Sequence, residues 1–432
     1  MVARSCLGAS LLLAVKTAPA QQALQNSLAG DAAAEARRAM LSSQQYTLKT
    51  GDLKLLVTPS FNLSWNDNIN VSQTSPQEDV ILEPMLLLRA SYPLTQDNWV
   101  TLRAGAGYDE YLEHSQYSGP RLLSGSELSF DFYVKDFWIN LHDRSSFTED
   151  SGGVAAVAGS GPHGGPNGGL YGGLNNTVGP TVTWDLRAVV LTLGYDHQNY
   201  LASSSQFDSQ NHASELMLAR AGLRLNPVLT TGLEGTGSLT EYDEKYLNDN
   251  QAYSLGGYAD WRPGSHFQVQ ARAGYTVSLF EQTSQATQTS QAIRATDVDS
   301  WYARLTLSHA VTEALTYSLS AGHELLPGIT ADTITDTYVR PSATWNLIKD
   351  VKLTGNVSYQ DGQQGNSGQG GGIAEHFDWF TAGVGVSYSP TKRFTTSLNY
   401  RLTLRSSNAA DRSYTQDMVG LLITYNLPHE SH

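Results

Sequence analysis

The chain has 432 residues, with 27 Lys and Arg against 41 Asp and Glu, for a net charge of −14. That balance makes the chain a poor candidate for general phosphate-backbone binding, so no nucleic-acid partner is expected. Charged residues make up only 16%, against roughly 25% in ordinary soluble domains, and 39 glycines, 22 tyrosines and 8 tryptophans stand beside them.

Residues 1–20 read as a signal peptide. Arg4 supplies the charged start, Ser5 to Val15 a short apolar core, and Ala18-Pro19-Ala20 the small-residue cleavage site. The only cysteine, Cys6, lies in this segment, so the mature chain has no disulfide and no cysteine metal site. Residues 21–52 differ from all that follows. Ala32 to Met40 is helix-forming, and the segment is expected to be a short periplasmic helix or linker; a plug inside a barrel is the sharper alternative.

From Leu53 onward the apolar period switches to two. In His266 to Phe280, Phe267, Val269, Ala271, Ala273, Tyr275, Val277 and Leu279 share one face, while Gln268, Gln270, Arg272, Thr276 and Ser278 share the other. Arg393 to Arg405 and Val351 to Gln360 repeat the pattern. Alternation of this length puts one face in an apolar medium and the other in a polar one. Such runs reach about 11–15 residues, near the ~9–11 tilted residues that cross a bilayer. The predicted strands are 53–66, 79–92, 98–111, 122–134, 137–149, 174–185, 187–200, 212–226, 229–242, 250–262, 266–281, 299–310, 314–324, 334–346, 350–361, 376–389, 393–407 and 413–427. They make about 18, an even number, as in single-chain bacterial barrels. Residues 428–432 form a tail. The fold expected is all-β: a transmembrane antiparallel up-and-down β-barrel over residues 53–427.

Connections alternate between short turns, such as Lys135-Asp136 and Pro227-Val228, and longer polar loops, such as 67–78, 150–173 and 282–298. Short periplasmic turns opposite longer extracellular loops are the asymmetry of outer-membrane barrels. Tyr92, Phe137, Trp184, Trp261, Phe267, Trp345, Tyr388, Phe394 and Tyr425 fall on the outward face beside the short turns and read as an aromatic girdle. Val178 to Leu186 repeats as Val339 to Leu347 with a shared proline, and Pro180 and Pro341 should each leave a bulge or a locally unpaired position.

The opening strand and first loop, Val57-Thr58-Pro59-Ser60-Phe61-Asn62-Leu63-Ser64-Trp65-Asn66-Asp67-Asn68-Ile69-Asn70, resemble the outer-membrane β-barrel porin family known as type 2. In that family a P-S-x-x-x-x-x-x-D-N strand leads into the first loop. The resemblance covers about residues 53–427 and implies an outer-membrane barrel, some members being associated with exopolysaccharide export. The sequence departs from the pattern at its end. Such barrels finish on an aromatic residue, whereas the last strand here, through Tyr425 and Leu427, is followed by Pro428-His429-Glu430-Ser431-His432.

The chain carries no G-x-S-x-G, H-E-x-x-H or P-loop, and its histidines lack ligand spacing, so no enzyme, cofactor or metal is expected. The inward phase is charged. Arg103, Arg144, Arg220, Arg224, Arg272, Arg304, Arg340 and Arg401, with Glu127, Asp131, Glu234 and Asp260, are the candidate pore-lining residues. Arginines facing carboxylates would set up a transverse field that orders water and favours charged or dipolar solutes. The longest loop, 150–173, is glycine-rich and almost free of charge. It follows the fifth strand, the place where general porins fold a loop inward, so Val154, Val157 and His163 are candidate constriction residues.

The expected function is a porin-like channel for passive passage of small hydrophilic solutes or saccharides, in the outer membrane of a Gram-negative bacterium. The alternative is an outer-membrane component of exopolysaccharide secretion, or a structural barrel with no open pore. Expected partners are membrane lipid, lipopolysaccharide and the barrel-assembly machinery. Whether the barrel forms a homo-oligomer stays open.

Overall fold

The computed structural model describes residues 41, 46–123, 125–150, 171–203, 205–244, 247–281, 297–327, 333–364 and 375–427. The segment expected to be a signal peptide, the helix expected before residue 41, the centre of the 150–173 loop and the 428–432 tail lie outside them. The described strands are β1 (Leu48–Thr50), β2 (Leu53–Asn66), β3 (Asp79–Pro93), β4 (Trp99–Tyr111), β5 (Gly119–Leu122), β6 (Ser126–Val134), β7 (Phe137–Asp150), β8 (Tyr171–Asp185), β9 (Val189–Ala202) and β10 (His212–Asn226). They continue as β11 (Leu229–Tyr242), β12 (Asn250–Gly264), β13 (Phe267–Phe280), β14 (Val298–Ala310), β15 (Leu315–Pro327), β16 (Thr333–Ile348), β17 (Val351–Gln364), β18 (Glu375–Tyr388), β19 (Phe394–Ser407) and β20 (Tyr414–Tyr425).

Paired strands run antiparallel, and β20 pairs with β2, so the sheet closes on itself. Strands β5 and β6 are two pieces of one stave, lying beside the upper and lower parts of β4. Strand β1 is a short hairpin arm on the foot of β2. The wall is therefore a closed barrel of 18 staves, as the periodicity predicts. Leu48–Thr50 is the local departure, because these residues pair as strand within a segment expected to be helix or linker.

Alternation becomes two surfaces. In β13, Tyr275 and Leu279 are exposed on the outside, while Arg272, Thr276 and Ser278 are buried on the inside. Exposed apolar side chains recur around the outer face, reaching 68% exposure at Leu255 and 65% at Leu233. The inside is not uniformly polar. Leu216 and Leu218 on β10 and Ile334 on β16 are buried there among hydroxyls, amides and charges. Inward tyrosines also lie flat over glycines of neighbouring strands. A Cβ on Gly256 would fall 2.1 Å from the Tyr302 hydroxyl, and one on Gly222 would fall 2.3 Å from that of Tyr258. Only glycine leaves room for such a ring against the wall.

The prolines are accommodated by gaps. Pro180 pairs with Leu141 on one side, but the ladder to β9 skips from Val178 to Thr181. Pro341 faces Leu319, and its other ladder skips from Val339 to Ser342. Pro84 does the same between Leu82 and Met85. Register is kept across each gap, so the missing N–H is absorbed as a locally unpaired position and no bulge forms.

The seam between β2 and β20 is made of three parts. Backbone pairing runs from Ser60 opposite Thr424 to Asn66 opposite Met418. Below it, the Thr47 hydroxyl donates to the Leu427 carbonyl at 3.2 Å and the Leu427 N–H donates to the Val57 carbonyl at 3.1 Å. Above it, Asp67 and Asn68 carry the line of β2 onward beside β20.

Candidate functional site

The lumen is the candidate site, and its charges are brought together by strand register. On β6 and β7, Glu127 accepts from Arg144 Nε at 3.0 Å and lies opposite Arg103. Arg103 in turn lies opposite Arg89 across the β3–β4 ladder, so two guanidinium groups occupy facing positions. Asp131 accepts from Trp138 Nε1 and from Asn140 Nδ2, both at 2.9 Å. His142 is buried beside them, with Nε2 2.8 Å from Asp196.

A second group centres on Glu234 of β11, whose side chain is 1% exposed. Arg272 donates to it at 2.7 Å, Arg220 sits 3.7 Å away, and the Tyr302 hydroxyl donates at 3.4 Å. Both arginines also stand over the Tyr258 ring. Farther round, Arg304 Nε donates to Glu324 at 3.0 Å, and the Tyr338 hydroxyl donates to the same carboxylate at 2.5 Å. Arg340 lies 4.1 Å over the Tyr338 ring. Low water access makes these charge-assisted contacts stronger than surface pairs.

The other predicted residues are less gathered. Arg224 stands at the turn end of β10, 40% exposed, and is bidentate to Asp185 at 2.6 and 3.0 Å. That pair belongs to the lower rim. Hydrogen bonds from Arg224 and from the Arg187 N–H hold the Asp185 carboxyl below the usual carboxylate range. Asp260 faces Thr230 and Gln270, with one carboxylate oxygen buried and unpartnered. Arg401 lies between Gly383 and Met418. Val154, Val157 and His163 lie outside the described residues.

Several lumen residues escape sequence reasoning. Glu375 is fully buried on β18 and accepts from Arg405 at 2.7 Å, from Arg412 at 2.6 Å and from Ser407 at 2.5 Å. Arg121 bridges Glu83 at 3.0 Å and Asp109 at 3.3 Å. Both Glu375 and Arg121 lie at strand ends, where polar residues read as ordinary loop. The signal available was the short polar spacing of Glu375 from the inward Phe377 and Trp379.

The outer surface is banded. At the turn end, Phe137 stacks on Trp184 at 5.2 Å, Trp261 meets Phe267 edge-on at 5.7 Å, and Phe394 lies opposite Tyr425. Tyr92, Trp345 and Tyr388 are exposed at the same end. Toward the loop end, outward tyrosines donate to carboxylates on the next strand: Tyr195 to Glu215 and Tyr400 to Asp417, each at 2.5 Å, and Tyr275 to Asp299 and Tyr359 to Asp378. Asp361, His376 and Asp378 converge on the outer lip of β17 and β18, as exposed acidic rims often do. Between the two aromatic bands the outside is apolar, and apart from the proline gaps the described strands are paired on both sides within a closed sheet. Only such a surface is stable in lipid. The protein is an outer-membrane β-barrel.

No protein-family model matches this chain, and neither does any curated protein. Solved structures from Pseudomonas aeruginosa are similar to it. OccK2 (OpdF) in complex with glucuronate is 11% identical, with 89% of this chain and 99% of that chain covered and a TM-score of 0.47. The outer membrane protein OpdK is 14% identical, with 87% and 98% covered and a TM-score of 0.46. OpdQ is 10% identical, with 88% and 100% covered and a TM-score of 0.46. At such identity the likeness says nothing about the solute.

Proposed function

We propose that this barrel is a porin-like channel for passive passage of small hydrophilic solutes. The observation that carries the reading is the charged inner wall, in which Arg89 and Arg103 form a guanidinium pair on facing strands. Glu127, Glu234, Glu324 and Glu375 are each held by arginine. Arg89, Arg103, Arg340 and Arg401 have no carboxylate within ion-pair distance among the described residues, and Asp260 and Asp336 have no arginine there. Fixed positive charge in a narrow wet passage raises the local concentration of anions. Small acids therefore suit this lumen better than neutral saccharides. For saccharides the support is the Tyr133–Trp138 stack, with ring centroids 6.2 Å apart, at the lower mouth.

The apolar belt is the surface for membrane lipid. Lipopolysaccharide would meet the tyrosine–carboxylate ring, and the barrel-assembly machinery would meet the seam strands. The second reading is a closed or partner-gated barrel, such as the outer-membrane component of exopolysaccharide secretion. It draws on the apolar clusters packed in the loop end of the lumen.

Planar-bilayer recording of the refolded chain tests the reading. Steady channels with a reversal potential on the anion side are expected. Arg89→Gln with Arg103→Gln should move that potential toward cations. A folded barrel that conducts nothing would overturn the channel reading in favour of the second.

A further inference from the structure

We propose that residues 67–78, the first loop at the extracellular end, are the fixed constriction of this barrel. The inference rests on the channel reading and adds the element that sets the opening.

Asp67 and Asn68 first continue β2 along β20. The Asp417 N–H donates to the Asp67 carboxylate at 2.7 Å, Gln416 Nε2 to the Asn68 carbonyl at 2.8 Å, and Asn68 Nδ2 to the Thr415 carbonyl at 2.9 Å. The loop then turns into the lumen and is anchored twice. Ile69, fully buried, packs on Ile81 of β3 and Tyr111 of β4. Val71, 3% exposed, packs with Ile334 of β16, Phe377 and Trp379 of β18 and Tyr414 of β20. Glu83, Arg103 and Arg405 fix the inward phase of β3, β4 and β19, so these anchor partners are lumen residues. The loop is thus seated against the inner wall on both sides of the seam.

Its shape is held internally. The Ile69 N–H donates to the Gln77 carbonyl at 2.8 Å. The Asn70 side chain donates to the Ser75 carbonyl and accepts from the Gln77 N–H, both at 2.9 Å. Val71 has a φ of 40°, a conformation that β-branched residues rarely adopt. Its side chain is held there by the wall cluster. A loop tied by side-chain amides, two apolar anchors and a strained turn is a fixed narrowing rather than a swinging lid.

Two measurements test this in the full barrel. The first is the conductance of Ile69→Ser with Val71→Ser, which releases both anchors at constant loop length. A roughly twofold rise is expected, because the narrowest section dominates resistance. Unchanged conductance of the folded variant would overturn the proposal. The second is independent of conduction. The sequence has no cysteine after Cys6, so in a chain refolded from residue 21 onward Val71→Cys and Thr74→Cys can be labelled separately with a membrane-impermeant maleimide. Slow labelling at Val71→Cys and fast labelling at the exposed tip Thr74→Cys are expected, and equal rates would overturn the seating. A silent wild-type barrel would sink the channel reading alone. Conductance switched on by the double variant would then still support the loop as the obstruction, and its absence would overturn that role.

Discussion

Glu234 shows what a single inward carboxylate does. Two arginines and a tyrosine hydroxyl converge on it from β10, β13 and β14, and little water reaches it. Removing its charge strands two guanidinium groups against the Tyr258 ring. Breaking a buried pair of this kind costs about 3–5 kcal/mol, because the partner's desolvation is no longer offset. Glu234→Gln is therefore expected to lower the denaturation midpoint of the folded barrel in lipid, while Glu215→Gln on the outer face should hardly move it. Equal losses would show that the inward network is not what holds this wall. The phase of Glu234, Arg220 and Arg272 was legible from alternation alone. Their convergence was not, because the register that aligns β10, β11 and β13 depends on how the whole sheet closes. Glu375 was missed for the opposite reason: it begins its strand and reads as loop.

At the level of the element, the staves were the most legible part and the loops the least. Periodicity located each stave to within a few residues, and the prolines announced the ladder gaps that the wall contains. The loop 67–78 carried a faint sign of its seat, since Ile69 and Val71 are apolar in a polar stretch. The longer 150–173 loop is the one that length, position and an apolar centre single out in the sequence. The rim also depends on single residues. Asp79, the first residue of β3, accepts N–H bonds from Leu112, Glu113 and His114 and so ties down the turn after β4. Burial raises its carboxyl, but the hydrogen bonds from Glu113, His114 and Val80 outweigh that and hold it below the ordinary 3.8. A depressed carboxyl contributes stability that is fully present above its unfolded value and is lost as pH falls through the folded one. The protection of the amides at residues 112–114, relative to their intrinsic exchange rates at each pH, should hold down to about pH 4 and fall below it. In Asp79→Asn that acid-dependent step should vanish; a step that survives would assign it to another group.

For the whole molecule, the closed wall makes chain direction almost invisible. The three-part seam brings the Thr47 hydroxyl to the Leu427 carbonyl, so the two ends of the barrel segment already touch. A short linker from residue 427 to residue 47 would complete a covalent ring, which could then be cut elsewhere without changing any neighbour relation. New ends placed between Tyr388 and Phe394, in a short turn at the same rim, are expected to give a permuted chain that refolds in lipid with native heat-resistant gel mobility. If that chain refolds in vitro yet fails to mature in cells, the β2–β20 junction serves as an address read during insertion, and geometry has no need of it. If it fails in vitro as well, the order in which the staves zip together is itself part of what makes the wall.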